Sequence, residues 1–298
     1  MEMSIKEHPP HHVPVLLEAT LRELAPKEGE SYLDLTAGYA GHASAILDIT
    51  KNDKESVLVD RDEYAIRHLQ HMKDRGVHLL HTDFASAARQ LYEEGRQFNL
   101  ILIDLGVSSP QLDQGERGFS FSHNGPLDMR MDRSSGITAA ELIQQSTVQE
   151  LATIIHEYGD EPYKQAQHLA QVIVEHRPYR DTETLAALIK QHYRGRTGKI
   201  HPATRTFQAL RIAVNDELGQ VKAVLPLLPK LLTQGGRVGI ISFHSLEDRL
   251  VKRFFKEQEA AGFEAELQTL TKKPVSGATD DVHNPRSRSA KLRVAVKK

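Results

Sequence analysis

Short apolar runs that each end in a carboxylate are the feature of this sequence that most constrains its fold. Three of them end at Asp34, Asp60 and Asp104, and a fourth run over 77–82 leads directly into Asp83. Each run is followed by a segment with helical character. Four such alternations predict an α/β fold with a doubly wound, mostly parallel sheet. The strongly apolar residues 99–104 predict a central strand that is buried on both faces.

The first of these strands runs into a glycine-bearing turn within residues 31–42. Asp34 stands near the carboxyl end of the strand, Gly38 and Gly41 follow, and a helix continues from His42. Glycine allows a sharp turn or the close approach of a ligand. Ligands of open α/β sheets lie just beyond the carboxyl ends of the strands, so this turn is a candidate binding site.

Two kinds of ligand compete for this turn. A dinucleotide site uses the pattern G-x-G-x-x-G, in which pyrophosphate sits on the backbone amides of a helix N-terminus. Here the spacing is Gly38-x-x-Gly41, and Asp34 precedes the turn. A carboxylate at that point suits a ligand with a cationic amine or sulfonium, and S-adenosylmethionine (SAM) has both. Glycines that serve packing alone explain the fragment equally well, so the fragment leaves the choice open.

Two further positions fit a nucleoside ligand. Asp60 ends the next strand, 26 residues after Asp34, where an acidic side chain can accept hydrogen bonds from both ribose hydroxyls. The alternative role for Asp60 is a helix N-cap. Phe84 offers a flat apolar neighbour for adenine, and Asp83 before it offers either a polar contact or the cap of the following helix.

The pattern changes after residue 113. Residues 114–132 are rich in Gly, Ser and Asp and predict an irregular segment, but their Phe and Met residues argue against disorder. From Thr138 the chain is predicted to be helical, with helices at about 148–158, 163–176 and 182–193. Strands are predicted again at 237–243, 267–270 and 290–296.

Ser245 is the predicted cap of the helix that follows the strand at 237–243. His244 and Asp248 are too few for a metal site, so we expect capping and packing roles for them and no metal.

Composition sets the remaining limits. The 298 residues suffice for one large domain or two ordinary ones, and the absence of cysteine excludes disulfides and thiolate metal sites. The first 12 residues contain no apolar signal core and no run of about 18 apolar residues occurs, so we expect a cytoplasmic protein without a membrane partner. A net charge of −2 gives no overall attraction to nucleic acid, which would have to bind local basic patches.

Longer motifs make the sequence specific. Together they resemble the ribosomal RNA small-subunit methyltransferase H family, in the right order over residues 12–296. The matching stretches are 12–16, 104–113, 116–121, 125–132, 201–211, 242–249 and 284–293.

The resemblance implies a class I SAM-dependent methyltransferase fold with an inserted all-α domain. We expect the methyltransferase domain to comprise 1–115 and 206–298, and the helical substrate-recognition domain 116–205. The family's activity is methylation of N4 of a cytosine in the decoding region of 16S rRNA, with SAM as the cofactor and the assembled small subunit as the substrate. A homodimer is a further expectation.

Transferred position by position, the resemblance implies a set of SAM contacts, and the residue-based argument adds Asp34 and Gly38. The family contacts fall on Ala40, Gly41, His42, Asp60, Phe84, Asp104 and Gln111. One departure is Ala40, which stands where the family usually has glycine. If that position needs a positive φ, alanine costs about 1 kcal/mol or more.

The expected chemistry is positioning of a weak nucleophile, the exocyclic amine of cytosine. We assign catalysis to Asp104, Ser108 and Ser109; Asp104 is either the acceptor of the amine's hydrogen bond or an anchor for SAM. Phe119 or Phe121 could support an unstacked base. Two alternatives stay open: a non-catalytic SAM-binding or rRNA-binding assembly factor, and a methyltransferase that acts on DNA or protein.

Overall fold

The computed structural model describes residues 14–195 and 201–298. The chain divides into two compact units, one of residues 1–105 with 220–298 and the other of residues 106–219. The sequence placed the inserted domain at 116–205, and that domain assignment stays a prediction. The first 12 residues, for which no apolar signal core is expected, lie outside the described residues.

The first unit alternates strands and helices as predicted up to Asp104. After residue 220 it adds a parallel strand, a long helix and an antiparallel C-terminal group. Its elements are α1 (Leu17–Leu24), β1 (Tyr32–Asp34), α2 (Gly41–Thr50), β2 (Val57–Asp60), α3 (Glu63–His68), α4 (Gln70–Asp74), β3 (His78–His81), α5 (Phe84–Glu93) and β4 (Phe98–Asp104).

The second unit is helical, which agrees with the absence of strands predicted between Thr138 and residue 230. Its elements are α6 (Ser109–Asp113), α7 (Ala139–Gln145), α8 (Val148–Gly159), α9 (Tyr163–Glu175), α10 (Thr182–His192) and α11 (Ala203–Asn215), and α12 (Glu217–Val224) follows at its end.

The chain then completes the first unit. Strand β5 begins five residues earlier than predicted, because the segment around Gly235 and Gly236 is part of it rather than a turn before it. The remaining elements are α13 (Leu228–Leu231), β5 (Leu232–Ser242), α14 (Ser245–Ala260), β6 (Leu267–Thr269), β7 (Val275–Ser276), α15 (Gly277–Asp280) and β8 (Lys291–Lys297).

The sheet has the strand order β3-β2-β1-β4-β5-β8-β6, with β7 paired to β8. Strands β1 to β5 are parallel, whereas β8 pairs antiparallel with β5 and β6. The chain starts in the middle at β1, runs outward to β3 and then resumes on the other side at β4. The predicted doubly wound, mostly parallel sheet is therefore confirmed, and ligands of such sheets bind where the strand order reverses.

Both faces of the sheet are buried. Along β4, Ile101 and Ile103 pack into one hydrophobic cluster, while Leu100 and Leu102 pack into the cluster on the opposite face. This alternation follows from the period of two along a strand. The prediction of a central strand buried on both faces is confirmed.

A third hydrophobic cluster forms the core of the second unit, where the apolar sides of α8, α9, α10 and α11 meet. The irregular segment before these helices is ordered by hydrogen bonds. The buried Asn215 side chain accepts from the backbone N–H of Met131 at 2.8 Å and donates to the carbonyl of Met129 at 2.8 Å. The argument from the Phe and Met residues against disorder is confirmed.

In the part of the chain that the structure describes, no helix combines the length and the apolar character needed to cross a membrane.

Candidate active site

Three of the predicted site carboxylates lie at one edge of the sheet. Asp34, Asp60 and Asp104 are the last residues of β1, β2 and β4, which are neighbours in the sheet. In the register, Asp34 is opposite Leu58 of β2 and Leu102 of β4. The carboxyl ends of parallel strands meet at this edge, next to the reversal of strand order between β1 and β4.

Asp34 holds this edge together from inside. Its side chain is buried at 1% exposure, Oδ2 accepts a hydrogen bond from the Tyr32 hydroxyl at 2.7 Å, and Oδ1 accepts from the backbone N–H of Thr36 at 3.0 Å. The Thr36 hydroxyl in turn accepts from the backbone N–H of Asp104 at 2.6 Å. Asp34 therefore fixes the backbone from which Asp104 projects. Its assignment as a cofactor contact stays a prediction.

Asp60 fastens the glycine turn. Its Oδ2 accepts a hydrogen bond from the backbone N–H of Gly38 at 2.8 Å, and its Oδ1 accepts from the N–H of Asp62 at 2.8 Å. Gly38 has φ of +53°, the left-handed region that favours glycine. The helix N-cap that follows is Asp62, whose side chain accepts from Tyr64 N–H, so capping does not account for Asp60.

The end of the turn adopts a left-handed backbone at a residue that is not glycine. Ala40 has φ of +64° and is buried, and it directly precedes α2. Gly41 then packs against Pro14 so closely that a Cβ at position 41 would clash with the proline ring. The condition for strain at Ala40 is therefore met, whereas glycine at 41 is required by close packing.

We expect Ala40→Val to lower the free energy of unfolding by about 1–3 kcal/mol, because a β-branched side chain strongly disfavours a positive φ. Urea denaturation measures the change. Ala40→Gly is the matched control, for which we expect a change within about 1 kcal/mol, since relief of strain is offset by the greater flexibility of the unfolded chain. A valine variant as stable as the wild type would contradict the strain.

His42 lies in the first turn of α2 and faces Asp104. It is only 6% exposed, and its Nε2 lies 3.8 Å from Oδ2 of Asp104, too far for a hydrogen bond. Among the described residues, neither Nε2 of His42 nor Oδ1 of Asp104 has a hydrogen-bond partner. Buried polar atoms without partners are rare in proteins and mark positions where a ligand, a proton or a small movement completes the contacts.

The edge carries unbalanced negative charge. Burial raises the pKa of Asp34 to about 6 and that of Asp60 to about 6. The pKa of Asp104 lies well above its usual range because of burial, with the charges of Asp34 and Glu247 adding to the effect. None of the three strand-end carboxylates forms an ion pair with Lys or Arg in the described chain. A cation bound here would lower all three pKa values and be stabilised in return.

This charge distribution fits SAM better than a dinucleotide. The sulfonium and the ammonium of SAM are both cationic, whereas the pyrophosphate of a dinucleotide would be repelled by the same carboxylates.

Phe84 is the first residue of α5, and Asp83 caps that helix by accepting from the N–H of Ser86 at 2.8 Å. Phe84 is half-buried against the core of the sheet, which keeps part of its ring available to an adenine.

The remaining predicted site residues belong to the second unit. Ser108 and Gln111 form the capping box of α6, in which Oε1 of the buried Gln111 accepts from the N–H of Ser108 at 3.0 Å. Ser109 is the first residue of that helix. Capping explains the positions of Ser108 and Gln111, and their roles in catalysis and cofactor binding stay predictions, as does that of Ser109.

Two aromatic residues were predicted as supports for an unstacked base. Phe119 is buried at 6% exposure, with the Arg117 guanidinium 5.7 Å from its ring centre. Phe121 is half-buried and packs against His201 and Phe207, with ring centres 4.7 and 5.0 Å away. Of the two, Phe121 retains more accessible surface for stacking.

Three further residues that shape the edge were not predicted from the sequence as site residues. Tyr32 and Thr36 bracket Asp34, and Tyr32 stands two residues before it, on the same side of the strand, so the period of a strand could have indicated that contact. Glu247 accepts from the N–H of Phe243 at 2.8 Å and caps α14 together with His244. The predicted cap at Ser245 is thus wrong by one residue, because the imidazole of His244 takes the capping role.

Comparison with known proteins identifies the family. Residues 10–298 match the model described as the MraW methylase family. The chain belongs to the MraW methylase family. A relative from Synechocystis sp. (strain ATCC 27184 / PCC 6803 / Kazusa), named ribosomal RNA small subunit methyltransferase H, is 48% identical over 96% of this chain and 93% of its own length.

Two further relatives with the same name are similar over almost their whole length. The protein from Cyanothece sp. (strain PCC 7425 / ATCC 29141) is 45% identical over 95% of this chain and 94% of its own length. The protein from Acidobacterium capsulatum is 43% identical over 96% of this chain and 98% of its own length. The predicted family, and with it the α/β methyltransferase fold, is confirmed. Membership of a methylase family also supports SAM as the cofactor.

Proposed function

We propose that this MraW-family methylase transfers a methyl group from SAM to N4 of a cytosine in the decoding region of 16S rRNA. The observation that carries the proposal is the group of three strand-end carboxylates without a Lys or Arg partner in the described chain, which suits a cationic methyl donor. The substrate class comes from the relatives, which are named for the small-subunit ribosomal RNA. The position on the base is the one that the resemblance of the long motifs to the methyltransferase H family implies.

The residues divide the work as follows. Asp60 and Phe84 bind the ribose and the adenine, Gly38 and Ala40 shape the turn around the methionine part, and Asp104 faces the reacting groups. The donor supplies an electrophilic methyl group on a sulfonium. The cytosine amine is a weak nucleophile because its lone pair is delocalised into the ring. A hydrogen bond from that amine to Asp104 holds it in line and stabilises the positive charge that develops on nitrogen.

The reaction balances without further reagents. The bond between N4 and the methyl carbon forms as the bond between sulfur and that carbon breaks. The amine then loses one proton, and the Asp104 carboxylate is the acceptor closest to it in this scheme. The unusually high pKa of Asp104 favours taking up that proton.

The proposal is tested by mass mapping of 16S rRNA from cells with and without the gene. We expect one cytosine in the decoding region to lose a methyl group on deletion. Purified protein incubated with labelled SAM should modify small subunits, and the same assay with naked 16S rRNA, DNA and cell protein separates the alternatives. Ribosomes that keep the modified cytosine after deletion would overturn the proposal, and cofactor binding without turnover would favour an assembly factor.

We expect the affinity for SAM to fall below pH 6. The pKa of Asp60 is raised to about 6, so this carboxylate becomes protonated as the pH falls and loses capacity to accept the ribose hydroxyls. If Asp60 must lose its proton before SAM binds, the Kd for SAM rises by up to about tenfold for each pH unit below 6. Calorimetric titration between pH 5 and 7.5 measures this. Asp60→Asn should bind more weakly, with a flatter profile, and an unchanged profile would contradict the ribose role.

A further inference from the structure

The group that the proposed mechanism leaves unused is the buried imidazole of His42. Its exposure is 6%, and both ring nitrogens are without hydrogen-bond partners among the described side chains, while the backbone of Val15 acts on the ring in the direction that raises its pKa. Burial lowers the pKa of His42 to about 4, so the ring is neutral at physiological pH. A neutral imidazole has one N–H donor and one acceptor nitrogen. Among the described residues, the acidic group recorded within 4 Å of the ring is Asp104, at the end of β4.

We propose that His42 is a positioning residue for Asp104: its Nε2 holds Oδ2 of the carboxyl group and so fixes the orientation in which this group meets the amine of the substrate. The inference rests on the proposed function, in which Asp104 accepts from that amine. It assigns to His42 a role other than the cofactor contact that the resemblance implies.

The geometry supports this contact between the imidazole and the carboxyl group. Oδ2 faces Nε2 at 3.8 Å, and an approach of about 1 Å brings the pair to hydrogen-bond distance. The Asp104 side chain is 26% exposed, whereas His42 is buried within the packed start of α2, so we expect the carboxyl group to make this movement. The backbone of Asp104 is fixed separately by its N–H bond to Thr36. The other oxygen, Oδ1, is buried without a partner in the described chain, so the accessible part of the carboxyl group lies on the side of Oδ2.

The contact works in either protonation state of the pair. When Asp104 is ionised, the Nε2–H of His42 donates to Oδ2. When Asp104 carries the proton, its hydroxyl donates to Nε2, and the ring then carries its own hydrogen on Nδ1. Glu247 and Asp34 also act on Asp104 through their charges, but neither forms a hydrogen bond with its side chain. His42 is therefore the one side chain in the described unit that is placed to orient this carboxyl group.

The decisive test compares three substitutions of His42. His42→Gln places an amide nitrogen near the position of Nε2, His42→Asn places one only near Nδ1, and His42→Leu removes both. We expect kcat to fall about 10- to 100-fold in the Asn and Leu variants, since small misplacements of a reacting group have effects of that size. His42→Gln should restore most of kcat, with the Kd for SAM within twofold of wild type in all three.

Nuclear magnetic resonance of the ligand-free protein supplies a readout independent of activity. In protein labelled with ¹⁵N-histidine, the His42 signals are those missing from His42→Gln. We expect Asp104→Asn to abolish the pH dependence of the His42 Nε2 signal that follows the ionisation of Asp104. Asp74→Ala, which removes an exposed carboxylate of α4, should leave it unchanged.

The outcomes separate the two proposals. A Gln variant no more active than the Leu variant, a loss confined to SAM affinity, or a His42 signal indifferent to Asp104→Asn would overturn the positioning role alone. A wild-type enzyme that methylates no rRNA would overturn the proposed function, and the resonance measurement would then still decide whether His42 contacts Asp104.

Discussion

Asp104→Ala is expected to lower the rate of methyl transfer to small ribosomal subunits by at least about 100-fold, the size of effect seen when a group that stabilises developing charge is removed. The side chain stands at the end of β4, and its Oδ1 has no partner in the described chain, so its removal breaks no hydrogen bond of the fold. Initial rates with labelled SAM measure the loss. Asp74→Ala is the matched control and should retain full activity.

The same variant separates the two roles that the sequence left open for Asp104. A fall in kcat with an unchanged Kd for SAM identifies the acceptor of the amine's hydrogen bond, whereas a weaker Kd identifies an anchor for SAM. Full methyl transfer with normal SAM affinity would discard both roles.

Stability should move in the opposite direction to activity. The pKa of Asp104 is raised in the folded protein, so above the pKa of the unfolded chain the ionised carboxylate destabilises the fold. Asp104→Ala removes that cost, and we expect a melting temperature at neutral pH equal to or above that of the wild type. A large drop in melting temperature would show that the residue is structural.

Asp248→Ala is expected to lower the free energy of unfolding by about 3–5 kcal/mol, because it leaves a buried guanidinium without its partner. Asp248 of α14 accepts from Nε of Arg293 at 2.8 Å and from Nζ of Lys291 at 3.1 Å, both at β8. The Arg293 side chain is 10% exposed. The pair therefore ties the long helix to the antiparallel strand that follows β5 in the sheet.

Urea denaturation of the ligand-free protein measures this change. The matched control is Glu257→Ala, which removes an exposed ion pair with Arg253 on the same helix and should change stability by less than about 1 kcal/mol. Burial alone would raise the pKa of Asp248, but hydrogen bonds from Arg293 and Lys291 lower it below its usual value. The stability that ionised Asp248 contributes is therefore lost as the pH falls below about 4. Equal effects of the two substitutions would contradict a buried pair.

The architecture of the first unit follows from local sequence. Apolar runs of strand length that alternate with helical segments define β1 to β4, and the order of the runs places Asp34, Asp60 and Asp104 at strand ends. Because parallel strands point the same way, carboxylates at their ends meet at one edge whatever the rest of the chain does. The helices of the second unit were also predictable, since their apolar periodicity and their capping boxes at Thr138 and Thr147 lie within short segments.

The partners of those carboxylates depended on the tertiary structure. The sequence did not show that both oxygens of Asp34 accept hydrogen bonds, from Tyr32 and from Thr36; its assignment to the cofactor stays a prediction. Nor did it show that the ring of His42, whose cofactor contact also stays a prediction, faces Asp104, 62 residues away in the chain. Contacts of this kind depend on which strands become neighbours, and β1 and β4 become neighbours only when the whole sheet assembles.

What the sequence determined by itself was therefore the kind of fold, the family and the edge where the carboxylates gather, because periodicity, turn residues and motifs are local properties of the chain. Only the tertiary structure decided which oxygen atoms remain free at that edge, that Ala40 accepts a left-handed backbone, and that Asp248 is paired with Arg293. Each of these is settled by burial and by partners distant in sequence, because a polar group removed from water must take whichever donor or acceptor the packed fold brings within reach.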